Sequence, residues 1–209
     1  MTALHVGHAP DWLDVSRETL DRLTLFVALV EKWNSAINLV AKRSLADAWV
    51  RHVLDSAQLM RLCPEKARTW VDFGSGAGFP GVVIAAIAKE ARPELHVTLV
   101  ESDKRKAAFL MQAARQMDLT LSVVAVRAET LAPCMADVVS ARALAPLAEL
   151  CGLAARHLKP EGLAIFPKGA QADAEVEAAM KLWHFDRQSV QSRTDPSGCI
   201  LTMKNIRHV

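Results

Sequence analysis

The sequence lacks the features that define several common protein classes. Its 25 Lys and Arg residues face 23 Asp and Glu residues, and a formal charge of +2 excludes a strongly basic nucleic-acid coat while leaving a local basic face open. None of the 4 cysteines forms a C-x-x-C pair, which argues against a zinc ribbon or a redox dithiol. The most apolar stretch, residues 82–88, is far too short to span a bilayer.

Further absences set the expected compartment and partners. Residues 1–14 contain Asp11 and Asp14 and no long apolar run, so we expect no signal peptide. Scattered thiols suit a reducing compartment, and we expect a cytoplasmic protein with no membrane partner and no metal. With 209 residues, 51% of them hydrophobic, the chain is long enough to bury one core without disulfides, and we expect a monomer.

The first third of the chain has the pattern of helices. Apolar residues recur at spacings of three and four over residues 16–34, which predicts an amphipathic helix with Ser16 as its N-cap. The pattern Ser44-x-x-Asp47 has the form of a capping box and predicts a second helix that ends near residue 62. We expect an N-terminal helical extension over residues 1–66, followed by one compact core over residues 67–209.

Strand and helix patterns alternate in the rest of the chain. Residues 159–162 are predicted to form a turn, and residues 195–198 the turn of a closing hairpin. Alternation implies right-handed crossovers and a mostly parallel sheet, to which the hairpin adds one antiparallel strand. The predicted fold class is α/β, with a Rossmann-like sheet of seven strands at residues 69–73, 95–100, 119–126, 136–140, 163–166, 184–191 and 199–205.

A glycine-rich loop follows the first predicted strand and precedes a helix, which is where an open α/β sheet binds its ligand. Gly74, Gly76 and Gly78 have the spacing G-x-G-x-G. Phe79 stands where the dinucleotide fingerprint G-x-G-x-x-G needs its third glycine. This variant, with Asp72 two positions before it, resembles the first motif of class I S-adenosylmethionine (SAM) methyltransferases.

Four residues at three places in the chain complete the predicted cofactor site. Asp72 would anchor the methionine amino group of SAM, directly or through water. Glu101 ends the second predicted strand, where a carboxylate can accept both ribose hydroxyls. Ala128 and Glu129 follow the third strand, where a backbone amide and a carboxylate can read the adenine edge. Taken alone, this last segment is equally consistent with an ordinary surface loop.

The sequence shows no signature of a catalytic base. No Asn-Pro-Pro-Tyr-like segment follows the fourth strand, where methyltransferases that act on exocyclic amines often carry one. Cys134 precedes that strand without an obvious activating neighbour, so a thiolate mechanism is disfavoured. Guanine N7 presents a free lone pair at neutral pH, and its methylation requires positioning rather than deprotonation. The sequence is compatible with transfer to N7 without establishing it.

Cationic residues cluster at the ligand edge of the predicted sheet. Arg142 follows the fourth strand and Lys168 follows the fifth, which suits binding of a phosphate or a base. Arg51, His52 and Asp55 are spaced about one turn apart on the second helix. That spacing alone fits a surface ion pair with a half-buried histidine as well as it fits a functional site.

In order along the chain, these segments resemble the small-subunit ribosomal RNA methyltransferase G family, also called glucose-inhibited division protein B. The resemblance spans residues 38–168. The glycine loop is shared by many methyltransferases, whereas R-H-x-x-D-S at residues 51–56 and R-A-x-A-P-L at residues 142–147 are much more particular.

The resemblance implies SAM-dependent methylation of N7 of a single guanosine, guanine 527 in standard rRNA numbering, in 16S rRNA of the small ribosomal subunit. It implies that Arg142 and Lys168 position the guanine without a general base, and that Arg51, His52 and Lys168 face the RNA. Together with the loop reasoning, the residues expected at the cofactor are Asp72, Gly74, Gly76, Gly78, Phe79, Glu101, Ala128, Glu129 and Arg142.

Three other interpretations stay open. A methyltransferase for a small molecule or a protein would keep the SAM loop but would not need Arg142, Lys168 and the basic helix together. A non-catalytic RNA-binding or assembly factor would retain SAM as a structural ligand. A dehydrogenase is disfavoured by Phe79 and Asp72.

Overall fold

A mostly parallel seven-stranded sheet organises residues 9–209, which are the residues that the computed structural model describes. Its strands are β1 (Thr69–Phe73), β2 (His96–Val100), β3 (Leu121–Val124), β4 (Ala136–Ala141), β5 (Leu158–Lys168), β6 (Trp183–Gln191) and β7 (Cys199–His208). Their order is β3-β2-β1-β4-β5-β7-β6, with β1 to β5 parallel and β7 antiparallel between β5 and β6. The predicted α/β fold with one antiparallel strand is confirmed.

Helices cover both faces of the sheet. They are α1 (Arg17–Asn34), α2 (Lys42–Leu45), α3 (Asp55–Ala57), α4 (Gly81–Ala91), α5 (Lys104–Gln116), α6 (Leu147–His157) and α7 (Ala172–Met180). Helices α1, α4 and α5 share one core with alternate strand residues such as Trp70 and Leu99. Helices α6 and α7 share a second core with the opposite strand faces, including Phe73 and Phe166. This two-sided burial explains why the central strands have continuous apolar runs.

Helix α1 begins where the sequence predicts. Ser16 is its N-cap and accepts a hydrogen bond from the Thr19 amide at 3.0 Å. The buried face of α1 carries Phe26, which packs against Phe109 of α5 and Phe79 of the glycine loop. The N-terminal extension therefore contributes to the core beneath the sheet. The proposed boundary near residue 66 stays a prediction.

The second helical segment differs from its prediction. Ser44 was expected to cap a helix, but α2 begins earlier, at Lys42, and the Ser44 hydroxyl donates to the Ala41 carbonyl. After a bend, the chain continues as a wide π-helical turn over Trp49–Leu54, then α3, then a tight 3₁₀ turn over Gln58–Leu62. The capping-box prediction is wrong because Ser44 lies inside the turn, where its hydroxyl competes for a backbone carbonyl.

Residues 159–162 also differ from their prediction. They lie within β5 rather than forming a separate turn. Leu158 pairs with Ala136 and Leu163 pairs with Val138, so residues 159–162 of β5 lie opposite the single residue Asp137 of β4. The Pro and Gly of this segment accommodate an irregular excursion of the strand. Within residues 9–209, no helix is both long enough and apolar enough to cross a membrane.

Candidate active site

The candidate site lies where the strand order reverses. Strand β1 is flanked by β2 and by β4, and the loops that leave the carboxyl ends of these parallel strands diverge there. Open α/β sheets bind ligands in the crevice that such a reversal creates. The glycine loop follows β1, Glu101 follows β2, and Arg142 follows β4.

The glycine loop uses backbone conformations that other residues adopt rarely. Gly74 and Gly76 have φ angles of 62° and 54°, in the left-handed region. A Cβ at Gly74 would lie 2.5 Å from the Leu144 side chain, whereas a Cβ at Gly76 would meet only the Gly74 carbonyl oxygen, at 3.7 Å. Gly76 therefore leaves an open backbone surface against which a ligand can pack. Gly78 is buried against Phe26, so it closes the loop onto α1.

Asp72 supports this loop from below. Its side chain is fully buried, and its carboxylate accepts hydrogen bonds from the Ser140 hydroxyl at 2.7 Å and the Gly81 amide at 3.3 Å. The Ser140 hydroxyl in turn accepts from the Trp70 indole at 2.8 Å. Burial raises the pKa of Asp72 to about 6. Asp72 thus ties the loop to β4, and its contact with a bound cofactor stays a prediction.

Glu101 lies beside the loop and orders it. One carboxylate oxygen accepts from the Gly76 amide and the other from the Asp103 amide, each at 2.8 Å. Because each carboxylate oxygen has more than one acceptor site, Glu101 retains capacity for further donors. The open Gly76 backbone and a held carboxylate fit a ligand that carries a ribose, as SAM does.

Ala128 and Glu129 lie in a short 3₁₀ turn, Ala128–Thr130, after β3. Glu129 is exposed, whereas Ala128 is buried, and its carbonyl accepts from His157 Nε2 at 3.2 Å. A carbonyl can only accept, so Nε2 carries the proton, and Nδ1 lies 3.3 Å from the Cys134 sulfur. Burial lowers the pKa of His157, which keeps the ring neutral. Sequence patterns did not reveal this support because His157 is 29 residues away.

Phe79 forms a platform between the extension and the loop. Its ring lies 5.0 Å from the His52 ring in a stacked arrangement, and the Arg142 guanidinium lies 5.3 Å from its centroid. Burial, together with the positive charge of Arg142, lowers the pKa of His52 to about 4. His52 Nε2 lies 3.0 Å from the Ser44 hydroxyl, which is already donating, so Nε2 carries the proton. Direct contacts of Phe79 with a cofactor and of His52 with RNA stay predictions.

Arg142 is fixed by the helical segment that carries the R-H-x-x-D-S pattern. Its Nη1 donates to the Arg51 carbonyl at 3.2 Å and to Asp55 Oδ2 at 3.4 Å. The sequence left an Arg51–Asp55 ion pair open, but the structure pairs Asp55 with Arg142. The Arg51 side chain is exposed, so it is free to face a ligand at the rim. Burial lowers the pKa of Arg142, and the charge of Asp55 opposes that shift.

Lys168 lies across a cavity of about 590 Å³ from Arg142. Its ammonium donates to Glu175 Oε2 at 2.7 Å, and Glu175 also accepts from the Leu147 amide. Both cations line this cavity, as the sequence predicted for the ligand edge. The cavity lining also includes Asp55 and the segment between β6 and β7, which sequence analysis did not assign to the site.

The β6–β7 turn, residues 192–198, is hydrogen-bonded to the helical segment that carries Asp55 and Gln58. Thr194 Oγ1 donates to Asp55 Oδ1 at 2.9 Å. Gln58 donates to Asp55 at 3.0 Å and to Ser192 at 3.2 Å, and its carbonyl accepts from the Arg193 amide at 2.9 Å. Residues 55 and 194 are 139 positions apart, so no local pattern could reveal their contact.

Residues 9–209 contain no group of three or more His, Cys, Asp or Glu side chains arranged to hold a metal ion. The polar groups that line the cavity are the cations Arg142 and Lys168, three carboxylates, an amide and a hydroxyl. This arrangement can bind anionic or polar groups and hold them in place.

Family and sequence comparisons agree over most of the chain. The family model described as rRNA small subunit methyltransferase G matches residues 19–198. Ribosomal RNA small subunit methyltransferase G of Cereibacter sphaeroides is 51% identical, over 94% of this chain and 96% of the relative. The protein of that name from Rhodospirillum centenum is 53% identical, over 92% of this chain and 87% of the relative.

Solved structures with the same fold are far more distant in sequence. A SAM-dependent methyltransferase from Aquifex aeolicus aligns with a TM-score of 0.58 at 12% identity, over 85% of this chain and 96% of that chain. A TehB-like SAM-dependent methyltransferase from Corynebacterium glutamicum aligns with a TM-score of 0.58 at 14% identity, over 85% of this chain and 98% of that chain. The fold is that of class I methyltransferases.

Proposed function

The chain belongs to the rRNA small subunit methyltransferase G family, and from this membership we propose that it transfers a methyl group from SAM to N7 of one guanosine, guanine 527, in 16S rRNA. The observation that carries the proposal is the shared cavity. Arg142 and Lys168 line one cavity beside the glycine loop. Methylation of guanine N7 needs no catalytic base, so positioning by these cations suffices.

SAM is the cofactor in this proposal, and the loop residues fit it. The open backbone at Gly76 gives a surface for the ligand, and the Glu101 carboxylate retains acceptor capacity for the ribose hydroxyls. The turn that contains Ala128 and Glu129 is held by His157 at the adenine end. SAM supplies an electrophilic methyl group on its sulfonium.

Arg142 positions the guanine through the part of its guanidinium that remains available. Its Nη1 is held by Asp55 and by the Arg51 carbonyl, which leaves Nη2 and Nε for the substrate among the contacts of residues 9–209. A bidentate contact to guanine O6 and N7 would cover the reacting lone pair. Arg142 therefore holds O6 or a phosphate oxygen and leaves N7 exposed.

Lys168 supplies a second cation at the opposite wall of the cavity. The Glu175 carboxylate and, more weakly, the Ala145 carbonyl at 3.4 Å accept from its ammonium, which has three donors. One N–H remains for a base or a phosphate. Arg51 extends the positive charge to the rim, where the RNA backbone would pass. The reaction becomes a matter of holding the base at the right distance and angle.

The substrate also sets the expected partner and compartment. A single guanosine in folded 16S rRNA is presented by the small ribosomal subunit, so the particle is the partner and the cytoplasm is the place of action. A formal charge of +2 gives no overall basic coat, which suits binding through a local face. The protein acts as a monomer.

The direct test combines the purified protein, methyl-labelled SAM and small subunits from cells that lack this activity. Naked 16S rRNA serves as a parallel substrate. The RNA is digested and analysed by mass spectrometry. One new 7-methylguanosine at position 527 is the expected result. Label at another atom or in no RNA would contradict the proposal, and tight SAM binding without transfer would favour a non-catalytic assembly factor.

A further inference from the structure

The β6–β7 turn, residues 192–198, forms a wall of the cavity that no part of the proposed function yet uses. Ser192, Asp195 and Gly198 line the cavity together with Arg142 and Lys168. The turn continues directly into β7, where Cys199 pairs with Lys168 of β5. One end of this wall is therefore fixed to β5, the strand that carries Lys168.

The turn holds its own shape. Asp195 Oδ1 accepts from the Ser197 amide at 2.9 Å and from its hydroxyl at 2.7 Å, while the Gly198 amide donates to the Asp195 carbonyl at 3.0 Å. The Gln191 side chain donates to the Gly198 carbonyl at 2.8 Å. These local bonds make the turn a preformed element, so little ordering is required when a substrate binds.

The other end of the wall is fixed to the carboxylate that orients Arg142. Asp55 Oδ1 accepts from Thr194, whereas Asp55 Oδ2 accepts from Arg142. The two oxygens of one half-buried side chain thus hold the wall and the cation at the same time. Gln58, which is 4% exposed, adds bonds from the same helical segment to both Asp55 and the turn.

We propose that the β6–β7 turn is the substrate-recognition wall of the cavity, and that Asp55 is the positioning residue that couples this wall to Arg142. The inference rests on the proposed function, since it takes a guanosine of the small subunit as the occupant. The wall sets which nucleotide conformation fits, and Asp55 aligns Arg142 with the nucleotide that the wall admits.

Thr194→Val tests the wall because it removes one hydroxyl and keeps the side-chain shape. The affinity for small subunits is measured with S-adenosylhomocysteine present, so that no turnover is required. We expect the Kd for subunits to rise about 10-fold, because the wall is no longer held against Asp55, with SAM affinity unchanged. Thr194→Ser should restore the affinity. Thr24→Val, which removes a hydroxyl that donates to the Leu20 carbonyl in α1, is the matched control.

Asp55→Asn tests the coupling through kinetics on the same subunits. We expect a lower kcat as well as a higher KM, because Arg142 loses its charged partner. Adding Thr194→Val to Asp55→Ala should raise the KM no further than Asp55→Ala alone, because Asp55→Ala already removes the oxygen that accepts from Thr194.

Wild-type subunit affinity in Thr194→Val, or a parallel loss of SAM affinity and Tm, would overturn the role of the wall. Additive effects in the double variant would overturn the coupling. Failure of the proposed function is separate, because it appears as absence of 7-methylguanosine with the wild-type protein, while the subunit affinities still report on the wall.

Discussion

The proposed cofactor side of the site is built mainly from loops and turns at strand ends, whereas the proposed substrate side is built from side chains that distant segments bring together. The cofactor side comprises the glycine loop, Glu101 and the Ala128–Thr130 turn, at the ends of adjacent strands. The substrate side joins Arg142 and Lys168 to the helical extension and to the closing hairpin. One side repeats a general solution of open α/β sheets, whereas the other depends on side chains from segments that are far apart in the sequence.

This difference predicts which changes affect which step. A variant on the cofactor side should change SAM affinity and leave subunit affinity intact. A variant on the substrate side should do the reverse. Arg142 lies where the two sides meet, over Phe79 of the loop and against Asp55 of the extension.

Arg142→Ala should have the largest effect on methyl transfer, because Arg142 contacts both the glycine loop and the helical extension. It removes the guanidinium that positions the base, and we expect kcat for methyl transfer to fall about 1,000-fold, as when one preorganised donor is removed from an active site. The measurement is single-turnover transfer to small subunits, with circular dichroism to confirm folding. Arg115→Ala, an exposed change on α5, is the control. Near-normal transfer by folded Arg142→Ala would contradict the assigned role.

Asp72→Asn tests the buried carboxylate that ties the glycine loop to β4. The pKa of Asp72 is about 6 when folded and 3.8 ordinarily, so the folded state binds more protons between these values and loses stability as pH rises. Relative to Asp72→Asn, the wild type should lose about 2 kcal/mol of unfolding free energy between about pH 4.5 and pH 7. Urea unfolding across this range gives the value. A difference that is flat with pH would show that Asp72 does not titrate there.

Glu101→Gln should change the affinity for SAM without changing the affinity for small subunits. The amide keeps the shape but loses the charge that strengthens hydrogen bonds from ribose hydroxyls. We expect the Kd for SAM to rise about 10-fold, measured by calorimetry, with subunit affinity unchanged. Equal loss of both affinities would mean that Glu101 only maintains the fold of the loop.

His157→Phe should give the smallest effect, again on the cofactor side. Phenylalanine can pack beside Phe73 as His157 does, at 4.9 Å between ring centroids, but it removes the side-chain donor to the Ala128 carbonyl, which then accepts only from the Leu131 amide at 3.3 Å. We expect the Kd for SAM to rise about 5-fold. His157→Gln, which can still donate, should lose less. If the two variants bind SAM equally, the hydrogen bond has no role in holding the adenine end.

Sequence reasoning succeeded where structure is local. The strand, the glycine spacing and the following helix lie within about twenty residues, and their backbone requirements are visible in the residue types. It succeeded less on the helical segment after Ser44, because a π-helical turn and a 3₁₀ turn share the periodicity of an ordinary helix within a few residues. The predicted β5 was too short for a similar reason. Pro160 and Gly162 are typical of a turn, but an irregular strand also tolerates them.

The hydrogen-bond partners of the site residues could not be predicted, because they lie far apart in the sequence. Asp55 had a plausible partner one turn away in Arg51, but its carboxylate reaches Arg142 and Thr194. His157 had no motif around it, and its function follows only from its bond to Ala128. Motifs therefore identified residues of the site, whereas the pairing between them required the fold.

The packing of Phe26 against Gly78 and Phe79 has a consequence for biosynthesis. Helix α1 leaves the ribosome first, but its partners in the glycine loop and in α5 are synthesised some fifty to ninety residues later. Its apolar face therefore lacks part of its native packing until α5 has emerged. The β6–β7 turn follows the glycine loop, Glu101 and the Ala128–Thr130 turn in the chain, so every segment of the proposed cofactor cradle is synthesised before this wall of the cavity.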